Sequence, residues 1–255
     1  MDMFVTLLPI SLWVIAFIIA ALAGFVKGVV GFAMPMVLIS GLSSFMDPEL
    51  ALAGLILPTL VTNLTQALRQ GPGAAWASAR RFWIYLVVGG TVLMVSAQLV
   101  RVLPLSVMVG LIGFPVTGLA VLQLTGFQFR LARQRADVEA GIGAFTGFLG
   151  GISGIWGPST VLYLTALDTE KSEQMRAQGV IYGLGALALA GAHLGSGVLR
   201  AETLPLSLAL VPPALAGQWL GGQVLDRVDQ ALFRKTTLVV LFVVGLNLIR
   251  RALTG

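Results

Sequence analysis

Residues 24–35 read GFVKGVVGFAMP and residues 147–158 read GFLGGISGIWGP. Laid over one another, Gly24, Gly28, Gly31 and Pro35 fall on Gly147, Gly151, Gly154 and Pro158, and Phe25 falls on Phe148. The offset is 123 throughout. Each block is followed by a short apolar segment, an acidic corner and a long apolar stretch. The corners are Asp47-Pro48-Glu49 and Asp168-Thr169-Glu170-Lys171. Glycine is abundant here, at 31 residues, but four Gly/Pro matches with a shared downstream order point to an internal repeat. The halves run over about 1–129 and 137–255 of a single membrane domain, 1–255.

What surrounds the blocks is membrane-like. Hydrophobic residues make up 57% of the 255 positions and charged residues 11%, about half the charge of a soluble domain. Uncharged stretches run 3–26, 28–46, 50–68, 82–100, 102–129, 140–167, 177–199, 203–225 and 236–249. A helix needs roughly 20 apolar residues to cross the hydrocarbon core. Residues 1–23 have a cleavage-like Ala21-Leu22-Ala23, but Met1-Asp2-Met3 carries an acid and no base, so the segment reads as a mature helix.

The net charge of +5 suits the cytoplasmic loops of a membrane protein rather than nucleic acid. With no cysteine, disulfides, thiolate metal sites and a cysteine nucleophile are excluded. One histidine and no acid in the middle of an uncharged stretch argue against a membrane-embedded enzyme and against obligatory proton antiport. No cofactor or metal is expected.

Positive charge orients the halves. If each block enters and leaves on one side, three further crossings follow in each half and the second half is inverted. The cytoplasmic side then holds Arg69, Arg80, Arg81, Arg130, Arg133, Arg135, Lys171, Arg176, Arg227, Arg234 and Lys235, against Arg101, Arg200, Arg250 and Arg251 outside: eleven to four. Parallel halves give nine to six, a poorer fit. Two full crossings per block would give the same sides. Length favours a hairpin: the 28 residues of 140–167 would reach about 42 Å as one helix, beyond the ~30 Å core, and are too few for two spans. The expected fold is an all-α polytopic membrane protein of two inverted repeats, each a Gly-rich broken helix plus three transmembrane helices. It lies in the bacterial inner membrane with both termini periplasmic.

Broken backbone in a bilayer persists only where protein or a water-filled cavity covers it, and matched breaks in two halves point to a binding site. Pro35 and Pro158 suit the first turn of a helix, whose free N–H groups hold anions. Lys27 lies inside the first block among uncharged residues, a functional candidate by position. The alternatives are close glycine packing and an interfacial, snorkelling Lys27. Gly28, Gly31, Gly151, Ser153, Gly154, Trp156 and Ser159 complete the candidate breaks. Asn63 and Gln66 share a helix face, with Thr59 one turn earlier, and either line a path or bond between helices. Arg176 either meets an anion on the cytoplasmic side or simply follows the positive-inside bias. His193 either carries a proton or is structural.

The paired blocks, each followed by a Pro-containing short helix and an acidic corner, resemble the TauE/SafE family. The resemblance covers nearly the whole chain and rests on glycines and prolines; those positions carry over, and no ligand set does. It implies a membrane transporter of small anions that exports sulfite or an organosulfonate by alternating access. The partners are then the anion and the lipid bilayer, and the fold is compatible with an oligomer. Import or a channel is the rival within transport. A scaffold or assembly protein is the rival outside it.

The charge split predicts a periplasmic C-terminus. Alkaline phosphatase fused after Gly255 should be active and a fluorescent protein there dark; the reverse pattern refutes the orientation.

Overall fold

The computed structural model describes residues 9–96, 105–127, 130–131, 133–153, 157–195 and 197–254. Among them are eleven helices and no strand: α1 (Ile10–Val30), α2 (Met34–Leu42), α3 (Pro48–Leu68), α4 (Pro72–Arg81), α5 (Trp83–Ser96), α6 (Leu105–Leu124), α7 (Ala136–Ser153), α8 (Gly157–Ala166), α9 (Lys171–Gly195), α10 (Leu204–Arg227) and α11 (Gln230–Thr254). Five described helices are long and apolar enough to cross a membrane. Counting α4 and α5, bent by 72° at their junction, as one broken span makes six. Trp76 and Trp83 are exposed on either side of that bend, where amphipathic rings suit a membrane–water interface.

The chain forms two compact units, and neither coincides with a sequence half. The first takes residues 1–75 and 178–229, the second 76–177 and 230–255.

In the first unit α1 and α10 lie side by side and parallel, since Ala21 meets Gly217 and Phe25 meets Gly221. Glycine permits the approach. A Cβ on Gly217 would stand 1.9 Å from the Ala21 carbonyl oxygen, and one on Gly221 2.2 Å from that of Phe25. Gly24 and Gly28 face the Ala214 and Gln218 carbonyls in the same way, at 2.1 and 2.3 Å. This is small-residue packing, in which backbones touch because lipid supplies no hydrophobic drive between helices.

At Gly31 (φ 84°) α1 stops in a left-handed cap, its N–H donating to the Lys27 carbonyl. Ala33 is also left-handed (φ 72°), and α2 starts with Pro35 in its first turn. It runs back along α1, for Gly41 meets the Ile19 side chain. Met34, Leu38 and Leu42 bury against Ala16, Ala20 and Ala23 of α1 and Leu206, Leu210 and Ala214 of α10. The first Gly-rich block therefore turns the chain back, as expected. The turn is shorter than 28–35, however: Gly28 is helical and spends its missing side chain on α10, leaving only residues 31–33 outside helices. Likewise α7 continues through Gly151 to Ser153, and the rest of the expected second break, 154–156, lies outside the described residues.

Running parallel to α10, α3 is joined to it by Glu49–Arg200 (2.6 Å) at one end and Arg69–Asp226 (2.5 Å) at the other. Between them Ser207 Oγ accepts from the Leu57 N–H at 3.1 Å. The C-terminal part of α9 runs antiparallel to α3, with Gly179 against Ala67 and Gly183 against Asn63.

In the second unit α5 and α7 are parallel and again meet through glycine: a Cβ on Gly147 would lie 2.1 Å from the Gly89 carbonyl oxygen. α6 and α11 are antiparallel, Gly113 against Ile249 and Gly245 against Thr117.

Gly217→Val is expected to separate α1 from α10. Overpacking costs about 1–3 kcal/mol or more, so the melting temperature in detergent should fall by several degrees. Gly191→Ala, with open space around it, should leave the melt unchanged. Equal melts for the two variants would contradict the backbone contact.

Candidate functional site

The stop in α1 leaves carbonyl groups without helical partners. Two carboxamides from other helices take them. Gln66 Nε2 of α3 donates to the Gly31 carbonyl at 3.2 Å. Gln178 of α9, its amide nitrogen turned to the break, donates to the Val30 and Gly31 carbonyls at 3.2 and 2.9 Å. The Gly31 oxygen thus uses both of its acceptor positions. Among the described residues, the N–H groups of Phe32 and Ala33, inside the break, have no acceptor.

One turn before Gly31, Lys27 is 1% exposed. Its Nζ donates to Asn63 Oδ1 of α3. Asn63 is 2% exposed and also donates from Nδ2 to the Tyr182 carbonyl of α9 at 3.4 Å. Among the described residues no carboxylate forms an ion pair with Lys27. An ammonium can donate three hydrogen bonds, and burying a charge without its opposite is costly. One turn before Asn63, Thr59 is 6% exposed and its hydroxyl has no partner. Nearby, Gln218 of α10 ties α3 in place, donating to the Thr62 carbonyl at 2.8 Å and accepting from Thr65 Oγ1 at 3.0 Å. The site is a buried lysine amine among neutral polar groups, beside an opened stretch of backbone.

Of the residues singled out in the sequence, Lys27, Asn63, Gln66 and Gly31 come together in the first unit. Gly28 lies one residue beyond Lys27 and faces α10. Gly151 (in α7), Ser159 (buried in α8) and Arg176 belong to the second unit. Arg176 bonds Ser78 Oγ at 2.7 Å and lies 3.8 Å from Glu173. The Ser153 side chain, Gly154 and Trp156 lie outside the described residues. Sequence reasoning missed the capping role of Gln178; a carboxamide inside the uncharged stretch 177–199 was the available signal.

It also missed a polar cluster in the second unit. Glu139, at the start of α7, is buried, accepting from the Tyr85 N–H at 3.1 Å and from Gln134 Nε2 at 2.5 Å. Tyr85 is the third residue of α5, so Glu139 caps that helix. The Tyr85 hydroxyl shares a 2.7 Å hydrogen bond with Thr160 Oγ1, and its ring stacks on Tyr163.

Long apolar helices joined by glycine-welded contacts define a multi-pass membrane protein. A family model described as Sulfite exporter TauE/SafE matches residues 16–248. The chain belongs to that family, whose members are transporters and not enzymes. Neither a curated protein nor a solved structure gave a match. Family membership makes the cargo a small anion and the bilayer the surroundings.

Two substitutions separate charge from packing. Asn63→Leu strands the buried ammonium and should cost about 1.5–3 kcal/mol, the worth of a hydrogen bond to a charged group. Lys27→Met removes the charge with a flexible apolar chain of similar length, and the melt of the empty protein should stay within a few degrees of wild type. Thermal melts of both check this; a larger loss for Lys27→Met would make Lys27 a structural residue.

Proposed function

We propose that the chain exports a small sulfur oxyanion or sulfonate, bound at the buried ammonium of Lys27. One observation carries the reading: Lys27 has a carboxamide for a partner and no carboxylate, so an anion entering the site supplies the missing charge. The Phe32 and Ala33 N–H groups and the N-terminus of α2 add the positive potential of a helix start. Export needs no coupled ion, because an anion leaving an inside-negative cell gains roughly 2.3 kcal/mol per charge per 100 mV.

We further infer two inverted repeats. One helix boundary supports the offset of 123: α3 and α9 begin at 48 and 171. Inversion is supported by direction, since α3 and α9, and α6 and α11, are repeat mates that run antiparallel. Both termini are then periplasmic. Alternating access would move the compact units rather than the sequence halves, because each unit combines helices from both halves. The set Gly28, Gly151, Ser153, Gly154, Trp156, Ser159 and Arg176 keeps the standing of candidates for the path outside the Lys27 site.

Proteoliposomes test the proposal. Sulfite efflux should be saturable, and Lys27→Ala should lower it at least about tenfold, the size of one lost charge-assisted hydrogen bond. Lys27→Arg should retain part of it, since charge is kept. Gly31→Val should abolish it, because a β-branched residue resists the left-handed cap. Wild-type rates in folded Lys27→Ala protein would remove the site from the transport path.

A further inference from the structure

The charges around Lys27 limit what the site can hold. In the first unit, the buried polar side chains among the described residues include Lys27, Thr59, Thr62, Asn63, Gln66, Gln178, Thr203 and Ser207. Only one of them, Lys27, is charged. The unit's Arg69 and Arg200 are about half exposed and already matched by Asp226 and Glu49. The interior therefore offers one positive charge and a set of neutral hydrogen-bonding groups.

We propose that the Lys27 site selects monoanions, a sulfonate or hydrogensulfite, against dianions such as sulfate or fully ionised sulfite, with the Thr59 hydroxyl as a further ligand. This rests on the reading of Lys27 as the anion site. A monoanion brings the buried site to neutrality. A dianion leaves one negative charge in a low-dielectric interior with nothing to balance it, a penalty that neutral donors do not remove. Neutral donors do suit the spread charge of a sulfonate, whose three oxygens can each accept. The ammonium serves one oxygen. Thr59 and Asn63 stand one turn apart on α3, so their side chains share a face. Thr59 carries a buried hydroxyl with no protein partner, an arrangement that wastes a donor unless a ligand uses it.

Binding to the purified full chain tests this, by calorimetry and thermal shift. Methanesulfonate and sulfate are matched in shape and differ in charge, and neither titrates near neutrality. Methanesulfonate should stabilise the protein and bind at least about a hundredfold more tightly than sulfate, the ratio expected for one uncompensated buried charge. Lys27→Met should remove the methanesulfonate shift. Thr59→Val, which deletes an unpartnered hydroxyl at constant shape, should keep the melt of the empty protein and weaken methanesulfonate several-fold. Sulfite affinity, relative to methanesulfonate at the same pH, should fall between about pH 6 and pH 8 as hydrogensulfite loses its proton. The methanesulfonate reference absorbs any titration of Lys27, Tyr182 or His193 within the unit, or of Glu49, Arg69, Arg200 and Asp226 at its ends. Sulfate binding as tightly as methanesulfonate, and still lost in Lys27→Met, would overturn the charge rule and leave the site standing. Unchanged methanesulfonate affinity in Thr59→Val would remove Thr59 as a ligand. Methanesulfonate binding that survives Lys27→Met, or no binding of any of the three anions, would overturn the site itself and the charge rule with it.

Discussion

A helix that stops inside a membrane protein must pass its last carbonyls to some donor, and α1 passes them to two glutamines. Gln66 and Gln178 reach the Gly31 oxygen from different helices, and Gln178 also reaches Val30. Unsatisfied backbone groups in hydrocarbon cost several kcal/mol each, so these bonds allow α1 to end at Val30 and α2 to turn back. They also fix α3 and α9 against the break. Asn63, on α3 near Gln66, thereby comes within reach of Lys27 and of the Tyr182 carbonyl. The cation, its carboxamide and the open backbone are products of one solution to one hydrogen-bonding problem.

Glycine does the second job. Along α1 it brings α10 to backbone contact, and along α7 it does the same for α5. In each case a helix of one half is joined to a helix of the other. Each compact unit consequently takes helices from both sequence halves. The midpoint of the sequence and the division into compact units are different lines in this fold.

Much of this was legible beforehand, and the exceptions have physical causes. The alternation of apolar stretches and corners foretold the helices, and the first Gly/Pro block foretold the interruption near 31. The exact breadth of the break was not legible, because a glycine in sequence does not say whether its freedom serves a left-handed cap, as at Gly31, or a close approach, as at Gly28. Lys27 and Asn63 were each visible as polar residues in apolar surroundings. Their bond joins residues 36 apart, and no local spacing encodes it. Gln178 was harder still, since what it meets is backbone. Arg176 looked similar on paper, yet Ser78 and Glu173 of the second unit occupy it.

Lys27 has no copy in the other half. The same offset of 123 leads to Gly150, and from Asn63 it leads to Ala186. On the proposed repeat, the charge is thus carried by one half alone. If the chain is the alternating-access carrier proposed above and the ammonium travels with the site, the form loaded with a monoanion crosses the field nearly neutral, while the empty form returns with one positive charge. An inside-negative membrane pulls that empty form inward. The voltage then acts on the resetting of the machine rather than on its cargo stroke, and substrate-free protein would show the small displacement current of that return.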